Sequence, residues 1–190
     1  MNRKIILLVF GMFTLPVVIA VLLNSRWVDW EPGGTRNHGE FVDPVVPLPE
    51  NDWTSSDGTV VARDDLLDLW QLTHVRRSAC DQACMEDLYW LRQTRMAQDR
   101  HVPEVGLLLI SAEPIDEVRR AEILALSEQF RIIDGAAGAE LIEAFPGSES
   151  APLRYIIDPM GNIMMRYPGE ADPNGIRRDL HRLLTWTQRD

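Results

Sequence analysis

A run of seven uncharged residues, Val105 to Ser111 ("VGLLLIS"), constrains the fold of this chain more than any other segment. A strand that is apolar along its whole length, rather than at alternate positions, is typical of a parallel sheet that is covered on both faces. A second apolar segment, Leu69 to Val75 ("LWQLTHV"), predicts another buried strand. These two segments form the basis of the fold prediction.

Amphipathic segments alternate with the predicted strands. A helix is predicted for "CMEDLYWLRQTRMAQ" after the first strand and for "IDEVRRAEILALSEQF" after the second. The turn residues of Pro159–Gly161 separate "LRYIID" from "NIMMRYP" and predict a hairpin, and "GIRRDLHRLLTWTQ" predicts a final basic helix. The resulting order of strand, helix, strand, helix, hairpin and helix indicates an α/β fold. Four side chains of the second helical segment are expected to face the core: Ile115, Val118, Ile123 and Leu126.

The segment Ile5–Leu23 contains no charged residue. As a helix its 19 residues are about 28 Å long, close to the thickness of a bilayer's hydrocarbon core. A cleaved signal peptide is the competing interpretation, but Ala20 is followed by bulky apolar residues that make a poor cleavage site. We therefore expect an uncleaved transmembrane anchor, with Arg3 and Lys4 in a short cytoplasmic tail.

The expected organisation is a tail over 1–4, an anchor over 5–23, a tether over 24–52 and a domain over 53–190. The tether is rich in Pro and Gly, although "FVDPVVPL" is apolar enough to pack in part. The formal charge of −10 argues against nucleic acid as a partner and against docking of the soluble part on anionic lipid. The predicted topology places the domain on the oxidising side of a membrane, which for a bacterial protein is the periplasmic side of the inner membrane, and a disulfide is a plausible resting state there.

The two cysteines of the chain, Cys80 and Cys84, stand three residues apart in "CDQAC". This spacing differs from the two-residue gap of the common redox motif, and no second pair completes a zinc site. Cys80 is expected at the junction between a strand and a helix, with Cys84 in the first helical turn. Backbone N–H groups there stabilise a thiolate, an effect that Arg76 and Arg77 reinforce and Asp81 opposes.

Three roles of this pair remain open from the residues alone. The thiols can exchange with a partner disulfide, with Cys80 as the attacking and Cys84 as the resolving thiol. Two soft thiolates one helical turn apart also suit Cu(I) if a third donor is present. The third role is a structural disulfide in a non-catalytic scaffold or interaction domain. The chain is thus a possible thiol-disulfide oxidoreductase, and the residues do not decide the matter.

The combination of "CDQAC" with "YIIDPMGNIMMRYP" resembles the SCO/SenC proteins. The resemblance implies a thioredoxin-like fold over 53–190, preceded by one transmembrane helix. It also implies assistance to cytochrome c oxidase assembly, with oxidase subunits or copper and redox proteins as partners, and Cys80 and Cys84 as ligands of Cu(I). A thioredoxin fold further suggests that Pro152, just before "LRYIID", follows a cis peptide bond.

One departure from that family concerns the third copper ligand. In the family this ligand is a histidine, and the matching position here is near Ser150, yet no histidine lies between His101 and His181. His74 is expected to be a buried or half-exposed strand residue, and His101 a solvated residue in a polar turn. Because this histidine is missing, the cysteine pair is expected to serve redox exchange rather than durable copper binding.

Overall fold

The structure is a computed structural model that describes residues 3–23, 37–149 and 152–186. The chain divides into two compact units, Met1–Arg36 and Asn37–Asp190. In the first unit, helix α1 (Arg3–Leu23) includes Pro16. Among the described residues, no helix meets the combined length and apolarity required to cross a membrane.

The second unit contains a mixed six-stranded sheet. Its spatial order is β1-β8-β7-β4-β5-β6, and a separate hairpin pairs β2 with β3. Strands β4, β5 and β6 are parallel, whereas β7, β8 and β1 add in antiparallel fashion. The strands are β1 (Glu40–Pro47), β2 (Trp53–Thr54), β3 (Val60–Val61), β4 (Trp70–Arg76), β5 (Val105–Ser111), β6 (Phe130–Asp134), β7 (Leu153–Ile157) and β8 (Asn162–Pro168).

Helices cover both faces of this sheet, which explains why β5 is apolar along its length. One buried cluster joins the sheet to α2, α3 and α5 and includes Leu88, Ile123 and Leu180. The other joins the opposite face to α4 and the β2–β3 hairpin and includes Trp53 and Leu141. The helices of this unit are α2 (Gln82–Met96), α3 (Glu117–Leu126), α4 (Gly135–Ile142) and α5 (Pro173–Trp186), with short 3₁₀ helices at Arg63–Leu66 and Asp99–Glu104.

The predicted α/β order is confirmed in outline, but the prediction lacked one strand and the helix after it. The strand expected at 69–75 lies at Trp70–Arg76, and the strand Val105–Ser111 and the hairpin lie where they were predicted. Strand β6 and helix α4 were not predicted. The second predicted helix extended to Phe130, whereas α3 ends at Leu126 and Phe130 begins β6, which passes into α4 without an intervening loop. Gly138 allows this close packing, since a side chain there would collide with the Ser111 carbonyl.

One predicted core residue of α3 is wrong. Val118 is 71% exposed, whereas Ile115 and Ile123 are buried and Leu126 packs against the same cluster. Val118 lies in the first turn of α3, just after the N-cap Asp116, where its side chain faces solvent. The apolar residue therefore gains no burial from its place on the helix.

The predicted tether covers two different parts of the chain. Residues 24–36 lie outside the described residues, whereas 37–52 belong to the second unit. The backbone N–H groups of His38 and Gly39 donate to the buried Asp179 carboxylate of α5 at 2.7 and 3.0 Å. Strand β1 then pairs with β8 at the edge of the sheet.

Candidate functional site

Cys80 and Cys84 form a disulfide at the start of α2, with their Cα atoms 5.2 Å apart. Strand β4 ends at Arg76 and α2 begins at Gln82, so Cys80 lies in the connecting loop and Cys84 in the first helical turn, as predicted. Cys84 is fully buried, and Cys80 is partly exposed against the same core cluster. An incoming sulfur therefore reaches Cys80 more easily than Cys84.

Asp81 fixes the first turn of α2 as its N-cap. Its carboxylate accepts a hydrogen bond from the Cys84 N–H at 3.0 Å, which satisfies one of the free donors at a helix start. That hydrogen bond, aided by the nearby Arg76 guanidinium, lowers the pKa of Asp81. Arg76 also donates from Nε to the Ser78 carbonyl at 2.8 Å, so one buried side chain holds the cysteine loop at two points.

Arg77 connects the cysteine loop to the segment after α4. Its Nε donates to the Ser148 carbonyl at 3.1 Å, and its Nη1 lies 3.0 Å from a Glu143 oxygen. Ser148 is itself buried and donates from its hydroxyl to the Ile142 carbonyl. The segment that leads toward the predicted third-ligand position is thereby held beside the cysteine loop.

A buried polar group lies beneath α2, where His74 of β4 and Arg154 of β7 both approach Asp87 of the helix. Arg154 forms an ion pair with Asp87, and His74 Nε2 lies 3.7 Å from the other Asp87 oxygen. Within the described part of the chain, neither ring nitrogen of His74 has a hydrogen-bond partner. Burial first, and then the charges of Arg154 and Arg76, lower the pKa of His74 to about 3, so the imidazole is neutral at pH 7.

The buried imidazole predicts a loss of stability in acid. The folded-state pKa of about 3 lies below the value of about 6.5 expected on unfolding, so the unfolded chain binds the proton first. The stabilisation that comes from a neutral His74 in the folded state is fully present above pH 6.5 and falls as the pH drops toward 3. We expect this residue to cost about 2 kcal/mol of unfolding free energy between pH 7 and pH 5.

Urea titrations at several pH values measure this loss. In His74→Gln the steepness of the decline below pH 6.5 should decrease, whatever the stability of the variant at pH 7. His181→Gln is the matched control, because His181 is exposed on α5 and its replacement should leave the decline unchanged. Equal pH slopes in wild type and His74→Gln would contradict the assignment.

An open cleft of about 620 Å³ lies beside the first turn of α2. It is lined on one side by Ala83, which lies between the cysteines in sequence, and by Asp87, and on the other by Pro152 and residues 168–171. Pro152 and Ala83 thus line the same cleft. The isomer of the Ala151–Pro152 bond involves a residue outside the described ranges, and the predicted cis bond stays a prediction.

Within the described residues, Cys80 and Cys84 have no third His, Cys, Asp or Glu donor with which to hold copper. Within the described ranges, no group of three His, Cys, Asp or Glu side chains could hold a metal ion. The position near Ser150 lies outside those ranges. The prediction for His74 is confirmed, since it is buried, but that for His101 is wrong, because this residue is buried and lies 2.8 Å from Glu104. We therefore derive no step through Cu(I) from Cys80 and Cys84.

Two parts of this site were missed from the sequence. Asp81 was considered only as a charge opposing a thiolate, although Asp directly before a helical segment is a known N-cap signal. The Asp87–Arg154 pair joins residues that are 67 positions apart, and no local pattern indicates such a pair. Long-range pairing of β4 with β7 is what brings Arg154 beside His74.

Comparisons with solved structures reveal the same fold in three proteins. Apo Sco1 from Thermus thermophilus has a TM-score of 0.62 and 16% identity, over 79% of this chain and 99% of that one. ScoI from Arabidopsis thaliana with copper bound has a TM-score of 0.58 and 14% identity, over 72% and 96%. The third is BsSco, a member of the Sco family of cytochrome c oxidase assembly proteins in which a disulfide switch was identified. It has a TM-score of 0.54 and 16% identity, over 74% of this chain and 94% of that one.

At these identities the likeness shows the fold alone, and it confirms the predicted resemblance to SCO/SenC proteins at that level. A comparison with curated protein sequences finds no match. The sequence of residues 70–187, which covers the disulfide and most of the sheet, matches a family of thioredoxin-like domains. The chain therefore belongs to the family described as the transmembrane-like, thioredoxin-like, C-terminal domain.

Proposed function

We propose that this protein exchanges electrons with a partner through the Cys80–Cys84 pair, which cycles between disulfide and dithiol. The observation that carries the proposal is the disulfide at the start of α2, with one sulfur partly exposed and the other buried. Paired cysteines at a helix start in a thioredoxin-like fold have the setting in which a thiolate is stabilised.

The exchange follows from the difference in exposure. A partner thiolate attacks Cys80 Sγ, a bond forms between those two sulfurs, and the bond from Cys80 to Cys84 breaks. Cys84 leaves as a thiolate in the first turn of α2 and takes up a proton. A second partner thiolate then attacks the partner sulfur of the mixed disulfide and releases Cys80. The partner dithiol is oxidised by two electrons, and the protein is reduced by the same two.

The competing role, a structural disulfide, is less well supported by the position of the bond. A cross-link between residues four apart closes a very short loop, for which the chain-entropy relation gives about 2 kcal/mol. It connects one helical turn to the loop before it, and joins no distant elements. The hydrogen bond from Cys84 N–H to Asp81 already fixes this turn without the disulfide.

We propose further that the exchange assists cytochrome c oxidase assembly at a bacterial inner membrane, on its periplasmic side. Support comes from the SCO/SenC resemblance and from the shared fold with a protein described as an oxidase assembly factor. We assign the uncharged segment 5–23, within helix α1, as the single-pass anchor. Transient copper handling would require a third donor from outside the described residues or from a partner.

Complementation of a deletion strain tests this role. We expect Cys80→Ser/Cys84→Ser to lose assembled oxidase at a protein level equal to that of the wild type. Addition of copper should not restore assembly if the defect lies in thiol exchange. An oxidase level that simply follows the amount of folded protein would support the scaffold role instead. Recovery of the chain in the fraction that carbonate releases from membranes would contradict the proposed anchor, but not the proposed thiol exchange.

A further inference from the structure

The solvent-facing side of α5 is positively charged, although the chain has a formal charge of −10. The helix contains three arginines and one acidic residue, Asp179. Asp179 is 1% exposed, and its carboxylate accepts hydrogen bonds from the backbone of His38 and Gly39. The acid is therefore withdrawn from the surface, and the outer side of the helix is basic. Arg177, Arg178 and His181 lie on this side, and Trp186 is exposed at the end of the helix. We call these four residues together the α5 stripe.

The two arginines of the α5 stripe have no ion pair within the part of the chain that the structure describes. Other surface arginines of the same unit, such as Arg119 and Arg166, pair with nearby carboxylates. A guanidinium without a carboxylate partner retains its fork of donors for an external anion, and phosphate oxygens match this fork well.

Exposed indoles accompany these charges. Trp186 is 63% exposed at the end of α5, and Trp90 of α2 is 42% exposed. Trp90 and Arg177 line the same surface cleft, in which Asp172 is the one acidic residue. Indole rings beside arginines are favoured at the boundary between water and lipid, where the ring contacts the acyl region and its N–H meets the headgroups.

The chain enters the second unit along this helix. His38 and Gly39 bind Asp179, and Asn37 accepts a hydrogen bond from Arg182 at 2.6 Å. Residues 24–36 separate this point from the end of α1, and 13 residues span at most about 45 Å when fully extended. If segment 5–23 is the anchor, as proposed above, this length of chain limits how far α5 can be from the membrane, and to that extent the inference rests on the proposed anchor.

We infer that the α5 stripe binds the phosphate groups of anionic phospholipids. This inference departs from the expectation, drawn from the formal charge of −10, that the domain does not dock on anionic lipid. Salt screens charges beyond about 8–10 Å, so the arginines nearest the surface, rather than the net charge, decide the interaction. Each arginine near an anionic membrane surface increases the ratio of membrane-bound to free protein about fivefold. The inference goes beyond the proposed redox function and involves neither cysteine.

Lipid-borne quenching of Trp186 tests the inference with the full chain. The chain is mixed with phosphatidylcholine vesicles, with or without phosphatidylglycerol, that include a lipid nitroxide near the headgroups. The Trp186 signal is taken as the difference between the chain and Trp186→Phe. We expect strong quenching with phosphatidylglycerol, weak quenching without it, and a decrease at high ionic strength. Anchoring through segment 5–23 occurs on both vesicles and cancels in the comparison.

Charge variants distinguish the α5 stripe from a general effect of arginine number. Arg177→Gln/Arg178→Gln should lower the ratio of docked to undocked domain about 30-fold. Arg131→Gln, at an exposed residue of β6 without an ion pair among the described residues, is the control and should leave quenching unchanged. Equal quenching on both vesicles, or an equal loss in the control, would overturn the inference. A response of Trp186 to soluble polyglutamate but not to the vesicles would assign an acidic protein segment instead, and would overturn it as well.

Discussion

Cys84→Ser should accumulate a stable mixed disulfide when its Cys80 thiolate attacks a partner disulfide and releases one partner thiol, whereas Cys80→Ser should form none. With Cys84 absent, a partner sulfur attached to Cys80 cannot be displaced from within the protein, because the neighbouring sulfur is missing. With Cys80 absent, the remaining thiol is buried in the first turn of α2 and an external disulfide cannot reach it. We expect the rate of exchange with a small disulfide to fall at least about a thousandfold in Cys80→Ser.

Mass spectrometry of the adducts and release of a chromophoric thiol measure the two steps separately. Both variants lose the same cross-link, so any loss of stability from the missing disulfide is matched between them. Ser78→Ala is a further control in the same loop that leaves both cysteines in place. Equal adduct formation by the two single variants would show that exposure does not set the order of attack.

Asp87→Ala should destabilise the fold by about 3 kcal/mol, because it leaves the Arg154 guanidinium without its partner in the protein interior. Arg154 is only 4% exposed, and its Nε has no partner within the described residues. The substitution therefore leaves a largely buried guanidinium without its carboxylate partner. The neighbouring His74 is neutral and offers no negative charge in place of Asp87.

Urea unfolding of the oxidised protein measures this loss. Glu86→Ala is the matched control, since Glu86 is exposed in the same helical turn and has no ion pair among the described residues, so its removal should change stability by less than about 0.5 kcal/mol. The double variant Asp87→Leu/Arg154→Met should recover most of the loss, because it removes both charges together. A cost for Asp87→Ala no larger than that for Glu86→Ala would contradict the role of the pair.

Those parts of the fold that depend on local pattern could be predicted. The continuous apolar run Val105–Ser111 predicts a strand covered on both faces, and clusters on either side of β5 cover it. The position of Cys84 in the first turn of a helix also follows from its place after a strand. By contrast, β1 lies in a Pro-rich segment, and its pairing with β8 is decided by contacts more than 100 residues away in sequence.

The candidate site divides in the same way. Its two sulfurs are visible in "CDQAC", and the N-cap Asp81 could have been recognised from capping preference. The surroundings could not, because Arg154 and Asp87 meet only when β7 pairs with β4. His101 was taken as solvated because polar residues surround it in sequence, yet the 3₁₀ helix at Asp99–Glu104 turns its ring inward.

The reduction potential of the Cys80–Cys84 pair tests the central claim most directly. Equilibration of the full chain in detergent with glutathione or dithiothreitol buffers, followed by thiol labelling, gives the ratio of dithiol to disulfide at each poise. A pair that exchanges electrons with a partner should have a potential between about −270 and −120 mV, the range of thioredoxin-like exchange proteins. A potential below about −300 mV, typical of structural disulfides, would contradict the account.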